Sequence, residues 1–322
     1  MRAAHDLQLA AQRLRDGELV CFPTETVYGL GADAANPAAV AKIFALKGRP
    51  AEHPLIVHLG TVDHLERWAP NIPESARRLA AAFWPGPLTL ILKKAPWVPA
   101  AVTGGQETIG LRIPAHPLAL ELLRAFGSGL AAPSANRFGR VSPTCAEHVR
   151  AEFGAETPLL LDGGPCVVGV ESTILHLAGT EPVLLRPGRI TPSQLTAVLG
   201  RRPRAYRAED QIRAPGLLAS HYAPRTPLQV LPPGEIPAFC AAHPELLIAL
   251  VAPERAVPEH TSSRTSLIAM PREAQAYAQG LYATLRRLDG QGFDLILVAA
   301  PPAEEAWTAV TNRLSRAART CL

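Results

Sequence analysis

The sequence predicts an α/β protein in two parts: a larger α/β domain over residues 1–200 and a smaller Rossmann-like α/β domain over 226–322, joined by a linker over 201–225. Three observations predict this division. Strand-length apolar runs alternate with stretches of helical periodicity on both sides of residue 200, the pattern of helices laid against a sheet. The length of 322 residues is about twice that of a typical ~150-residue domain. Between the two patterned regions, Arg201, Arg202, Arg204, Arg207, Arg213 and Arg225 sit among Pro, Gly and Ala with no sustained period.

Taken in order, Leu7, Ala10, Ala11 and Leu14 give a first helix its apolar face, with Asp6 as candidate N-cap and Gly17 as the left-handed stop. Strand-like Leu19–Phe22 follows and ends at Pro23. Asn36-Pro37 is a cap and first-turn pair for a helix whose buried side is Val40, Ile43, Phe44 and Leu46. Further strands are expected at Leu55–Leu59, Leu88–Leu92, Thr108–Ile113, Leu159–Leu161, Thr173–Leu177 and Val183–Leu185, with helices near 74–83 and 116–126. In the second part the expected order is strands Leu228–Leu231, Leu246–Val251 and Ser266–Met270, helix Glu273–Leu288, strand Leu295–Ala299 and helix Glu304–Ala318. Strands alternating with helices there predict a parallel sheet.

Composition narrows the classes. Hydrophobic residues at 48% and charged residues at 19% exclude a disordered or fibrous chain. A formal charge of +4 is too small to argue nucleic-acid binding by itself, so any electrostatic case rests on local clusters. Proline, 32 of 322 residues, is about twice as frequent as its usual ~5% and marks many short elements joined by stiff turns. Cys21, Cys145, Cys166, Cys240 and Cys321 are odd in number and far apart, which argues against a disulfide framework or thiolate zinc site and fits a reduced cytoplasmic compartment. No apolar run approaches the ~20 residues needed to cross a bilayer, so no membrane association is expected.

Several motifs invite chemistry. Gly29-Leu30-Gly31-Ala32-Asp33-Ala34 matches a dinucleotide fingerprint, but the helix after Asn36 starts too late to meet a pyrophosphate there. Walker, G-x-S-x-G and H-E-x-x-H motifs are absent from the sequence. Hydroxyls crowd Pro23-Thr24-Glu25-Thr26-Val27-Tyr28, where they either bind a small polar ligand or cap a turn. Lys47-Gly48-Arg49-Pro50 puts two cations at a helix end, either answering the helix dipole or holding phosphate. His53 and His58 form a weak metal pair and are equally read as polar ends of one strand. Arg112 ends a strand and suits a carboxylate or phosphate, with a surface salt bridge as the alternative. Ser134-Ala135-Asn136 and Ser142 offer small polar groups on a loop that approaches a nucleotide or simply turns, and Glu171-Ser172-Thr173 and Arg186 add hydroxyls and a strand-end cation.

The joint order of P-T-E-T-V-Y-G-L-G, K-G-R-P, H-P-L-I-V-H, W-P-G-P-L-T, L-R-I-P, S-A-N, V-E-S-T-I and L-R-P-G-R-I resembles the YrdC-type threonylcarbamoyl-AMP synthase family throughout residues 1–200. The second domain and His221-Tyr222-Ala223-Pro224 resemble the longer, two-domain form of that family. The resemblance implies a twisted, open, mixed YrdC-like sheet. It also implies synthesis of L-threonylcarbamoyladenylate from L-threonine, bicarbonate or CO2, and ATP, a nucleotidyl transfer that releases pyrophosphate. The product would pass to a tRNA threonylcarbamoyl transferase complex, and direct tRNA contact is left open. Carried over by motif, Thr26, His58, Arg112 and Ser172 are expected to bind threonine. Lys47, Arg49, His53, Thr108, Ser134, Asn136, Ser142, Arg186, His221 and Tyr222 are expected on the ATP side, with Lys47, Arg49, Ser134 and Asn136 nearest the reacting phosphate. Mg2+ is expected to travel with ATP, since no carboxylate cluster is evident to hold it alone.

Two departures from the family pattern stand out: Arg137-Phe138-Gly139-Arg140 follows S-A-N in place of a Ser-Gly pair, and Leu217-Leu218-Ala219 stands where the linker usually carries Met, Lys and Tyr. Two other readings compete. One is an RNA-binding module tracking phosphate with the arginines of residues 186–225. The other is a carbamoyl-phosphate-dependent activity of the kind found in YrdC-like domains of hydrogenase maturation proteins.

Overall fold

The computed structural model describes residues 2–217, 222–254 and 264–318. They divide into two units, Met1–Phe138 with Ser142–Leu217, and Gly139–Val141 with Leu218–Leu322. The first unit is a sheet of ten strands with flanking helices. Its strands are β1 (Val20–Phe22), β2 (Gly29–Asp33), β3 (Ile56–His58), β4 (Leu88–Lys93), β5 (Thr108–Arg112), β6 (Leu130–Ala131), β7 (Leu159–Leu160), β8 (Thr173–His176), β9 (Val183–Arg186) and β10 (Arg204–Ala205). The helices are α1 (Arg2–Arg15), α2 (Pro37–Lys47), α3 (Leu65–Trp68), α4 (Glu74–Phe83), α5 (Ala100–Thr103), α6 (Pro117–Phe126), α7 (Ala146–Phe153) and α8 (Pro192–Leu199). Spatial order across the sheet is β10-β9-β8-β4-β5-β3-β6-β2-β1-β7. Parallel pairs such as β3 with β5 sit beside antiparallel pairs such as β4 with β5, so the sheet is mixed.

Alternation of side chains sorts the cores. Val20 and Phe22 of β1 join α1 and α6 through Ala10, Leu14, Leu122 and Leu123, whereas Cys21 points into the larger cluster built on α2 and α4. The Asn36-Pro37 start holds: Asn36 Oδ1 accepts from Ala38 N at 3.0 Å and Ala39 N at 3.2 Å. The first helix begins at Arg2, so Asp6 lies inside it and is not its cap, while Gly17 at φ 74° does take the left-handed turn. Gly29–Asp33 is itself a strand, paired antiparallel to β1, which removes the dinucleotide-loop reading.

The stretch expected as a linker is only partly one. Arg204–Ala205 extends the sheet beside β9, and Tyr206, Ile212, Ala214 and Leu217 pack on Ile56, Ile91, Ile174, Val183 and Leu185. Two of its arginines are engaged within this unit. Arg204 pairs with Glu181 at 2.7 Å and Asp210 at 2.8 Å, and Arg213 donates to Glu52 O at 3.0 Å and Gly104 O at 2.8 Å.

The second unit is a four-stranded, all-parallel sheet in the order β11-β14-β12-β13, with β11 (Leu228–Leu231), β12 (Ile248–Pro253), β13 (Thr265–Met270) and β14 (Leu295–Ala299). Its helices are α9 (Ile236–Ala242), α10 (Ala274–Asp289) and α11 (Thr308–Ala317). Within this unit Asp289 takes Arg140 at 3.0 Å and the Thr226 N–H at 2.7 Å. No helix among the described residues is long and apolar enough to cross a membrane.

His58 occupies the middle of the large sheet, in register with Arg112 on β5 and Leu130 on β6, its ring edge-on to Phe22. Burial, then the adjacent Arg112 charge, lowers its pKa from 6.5 to about 3, so the folded chain holds it neutral. Because the folded pKa lies below the unfolded one, the unfolded chain takes up the proton first as pH falls, and stability drops with it. The expected loss attributable to His58 is about 2 kcal/mol at pH 5; thermal melting from pH 7 to pH 5 should fall less steeply for His58→Gln than for the parent chain, and equal slopes would contradict this. Gly188 permits a second test. A Cβ there would lie inside contact distance of the Thr173 N–H and close on Ser172, so Gly188→Ala should destabilise by about 1 to 3 kcal/mol in denaturant unfolding.

Candidate active site

Strand ends and the loops that follow them carry the candidate residues. Gly48, left-handed at φ 61°, ends α2 and separates Lys47 from Arg49, whose N–H returns to Phe44 O at 3.0 Å. Lys47 Nζ donates to Ser134 O at 2.5 Å and to Asn136 O. One buried ammonium thereby pins the S-A-N loop through its carbonyls. Burial, and then Arg49, holds the Lys47 pKa well below the ordinary lysine value. Phe138 N–H donates to Lys47 O at 2.8 Å, and the Phe138 ring lies under the Arg49 guanidinium at 5.7 Å and edge-on to His53 at 5.3 Å. The phenylalanine that departs from the Ser-Gly pattern thus backs two of the expected nucleotide-side residues. Lys47, Arg49, His53, Ser134 and Asn136 form one group.

The S-A-N loop also joins the hydroxyl-rich segment between β1 and β2. Gly29 bridges Ser134, Ala135 N–H donates to Tyr28 O at 2.8 Å, and Tyr28 N–H donates to Pro143 O at 2.9 Å. Within that motif the turn-capping role falls to Thr24. Its Oγ1 accepts from Thr26 N and Val27 N at 3.2 Å each, leaving the fully buried Thr26 hydroxyl 2.8 Å away as its neighbour.

A second group surrounds the end of β5. Arg112 Nη2 lies 2.6 Å from Glu25 Oε1, and Arg112 Nε donates to Gly86 O at 3.3 Å. The salt bridge that sequence allowed for Arg112 is therefore real but buried, with a partner the sequence did not suggest. Ser172 Oγ meets Thr89 Oγ1 at 2.8 Å and accepts from Arg186 Nη2 at 3.1 Å, while Arg186 Nε donates to Ser172 O at 3.0 Å and Nη1 to Pro215 O at 3.1 Å. Ser142 donates to Glu171 at 2.6 Å, which ties the loop after S-A-N to the V-E-S-T segment.

Relative exposure is 3% for Lys47, 9% for Arg49, 4% for Arg112 and 3% for Arg186. The buried carboxylates of this unit among the described residues are Glu25 and Glu171. Three buried arginines outnumber the two buried carboxylates, with Lys47 beside them, so the interior of this unit favours an incoming anion.

Three expected residues remain. Thr108 opens β5, four residues and ~13 Å of strand from Arg112, and is only half-buried. The Tyr222 ring is buried within the second unit, stacked on Tyr282 at 5.9 Å with the Arg313 guanidinium at 5.3 Å. His221 lies outside the described residues. Sequence reasoning passed over Glu25, Glu171 and Phe138; a lone carboxylate inside the P-T-E-T-V-Y run was the available signal for the first.

A family model described as "Telomere recombination" (Sua5_yciO_yrdC) matches residues 12–188, and one described as "Threonylcarbamoyl-AMP synthase, C-terminal domain" (Sua5_C) matches residues 190–319. The chain is 40% identical over 320 residues to threonylcarbamoyl-AMP synthase of Pyrococcus abyssi, spanning 97% of this chain and 93% of that one. It is also 40% identical over 326 residues to the Bacillus subtilis enzyme of the same name, spanning 96% and 92%. Two solved structures of Pyrococcus abyssi Sua5 superpose with a TM-score of 0.89, covering 97% of this chain: a doubly substituted variant at 37% identity, with 92% of its chain covered, and a complex with L-threonine at 38%, with 93% covered. Full-length similarity in sequence and fold, with both family models matched in tandem, establishes that the chain belongs to the Sua5/YciO/YrdC family as a two-domain threonylcarbamoyl-AMP synthase.

Proposed function

We propose that this enzyme makes L-threonylcarbamoyladenylate from L-threonine, bicarbonate or CO2, and ATP, with release of pyrophosphate. The surplus of buried positive charge carries the reading. The threonine carboxylate, the carbamate and the triphosphate are all anions. In the reaction the threonine amine loses a proton and its lone pair forms a C–N bond to CO2, giving a carbamate. A carbamate oxygen then bonds to the α-phosphorus of ATP as the bond to the β-phosphate oxygen breaks, and pyrophosphate departs. Neither step needs a protein nucleophile, so positioning and charge neutralisation are the protein's contribution.

In this scheme Arg112 receives the threonine carboxylate, with Thr26, Ser172 and neutral His58 around the rest of the amino acid. The threonine held by the Pyrococcus relative supports a threonine pocket. Lys47, Arg49 and Arg186 meet the phosphates, while Ser134, Asn136 and Ser142 supply polar groups close to the ribose and α-phosphate. His53 and Thr108 lie farther along the nucleotide. Phosphate beside Lys47 would favour its charged form and strengthen the contact it makes. Exclusion of water protects the labile carbamate and mixed anhydride. Mg2+ would arrive with the nucleotide and offset the charge of its phosphates. The product would be consumed by a transferase that modifies tRNA, in the cytoplasm.

Pyrophosphate release should require threonine and bicarbonate together, and serine should be about tenfold or more poorer as a substrate because the pocket gains from the threonine methyl. Equal release without threonine would contradict the reading, as would replacement of threonine by carbamoyl phosphate. Substitution should separate the two groups: Arg112→Ala raises the threonine KM by about tenfold or more with little effect on the ATP KM, and Lys47→Ala or Arg49→Ala does the reverse. Steady-state kinetics with each substrate varied in turn checks both.

A further inference from the structure

We infer that Glu25 is a positioning residue for the threonine site, fixing the Arg112 guanidinium in the orientation that meets a substrate carboxylate. The inference rests on the reading of Arg112 given above. Glu25 and Arg112 side chains are 6% and 4% exposed, and their facing atoms are 2.6 Å apart. The two atoms attract as charges without the alignment of a hydrogen bond, so Arg112 Nη2 keeps a donor unused. The other Glu25 oxygen, Oε2, accepts from Ala115 N at 3.0 Å, which stops the carboxylate from turning away. Its backbone carbonyl accepts from Val168 N at 2.8 Å, so the residue joins three segments: the turn after β1, the exit of β5 and the loop before V-E-S-T.

From the other side Arg112 Nε is held by Gly86 O at 3.3 Å. With Nε and Nη2 each facing a fixed oxygen, the guanidinium plane is set. Glu25 also supplies the negative charge that lets Arg112 stay buried before substrate arrives. It acts through Arg112 and is not assigned any contact with the reacting atoms.

The test compares Glu25→Ala and Glu25→Gln with the parent chain by pyrophosphate release, varying threonine and ATP separately, and by thermal melting. Glu25→Ala should raise the threonine KM by about tenfold or more while the ATP KM stays within roughly twofold. Glu25→Gln, which keeps an oxygen for Arg112 or the Ala115 N–H, should recover part of that loss. A purely structural role would move both KM values together or be indifferent to Gln. A threonine KM within roughly twofold of the parent in folded Glu25→Ala overturns the inference, as does a parallel rise in both KM values. If Glu25→Ala does not fold, Glu25→Gln decides alone: a selective rise in threonine KM supports the assignment and an unchanged one overturns it. A parent chain without threonine-dependent pyrophosphate release removes the functional reading and this inference with it; an active parent with unaffected variants removes only the role of Glu25.

Discussion

Positive charge taken out of water is the constraint on which the site depends. Lys47, Arg49, Arg112 and Arg186 are buried in one unit. An ion moved into a protein interior costs several kcal/mol unless opposite charge or well-aimed dipoles meet it. Two carboxylates are buried with them, and much of the remaining compensation comes from backbone carbonyls: Ser134 and Asn136 for Lys47, Pro54 for Arg49, Gly86 for Arg112, and Ser172 with Pro215 for Arg186. Carbonyls hold a cation in place without cancelling its charge. The result is a rigid set of donors that still attracts anions.

The fold delivers these groups by keeping its strands short. β1 ends before Pro23, β5 before the Ile113-Pro114 pair and β9 before Pro187, and at or just past each end lies a motif that bears hydroxyls or a cation. Proline removes a backbone donor and fixes φ, so the chain leaves the ladder at those points. Lys47 and Arg49 come from a different device, a left-handed Gly48 that stops α2 between them. Strand ends and a helix end are stiff supports, and stiffness is what lets a buried cation keep its direction.

Much of the architecture was legible because its cause is local. The helix after Asn36-Pro37, the apolar strands from Ile56 to Arg186 and the parallel order of the second unit all follow from periodicity and capping chemistry. What was not legible depended on distant partners. Gly29–Asp33 reads as a glycine loop until β1 is beside it, Leu130–Ala131 is too short for any period, and Arg204–Ala205 is a strand only because β9 lies next to it. The site divides in the same way. The residue types were visible in the motifs, but Lys47 finds its carbonyls 87 and 89 residues away, and Glu25 finds the Ala115 N–H 90 residues away.

The most direct measurement is a crystal structure of the chain with L-threonine and a non-hydrolysable ATP analogue bound together. The account predicts the threonine carboxylate on Arg112 and the triphosphate oxygens on Lys47, Arg49 and Arg186, with the amino nitrogen facing the α-phosphate side. Threonine seated away from Arg112, or phosphates that leave those three cations untouched, would contradict it.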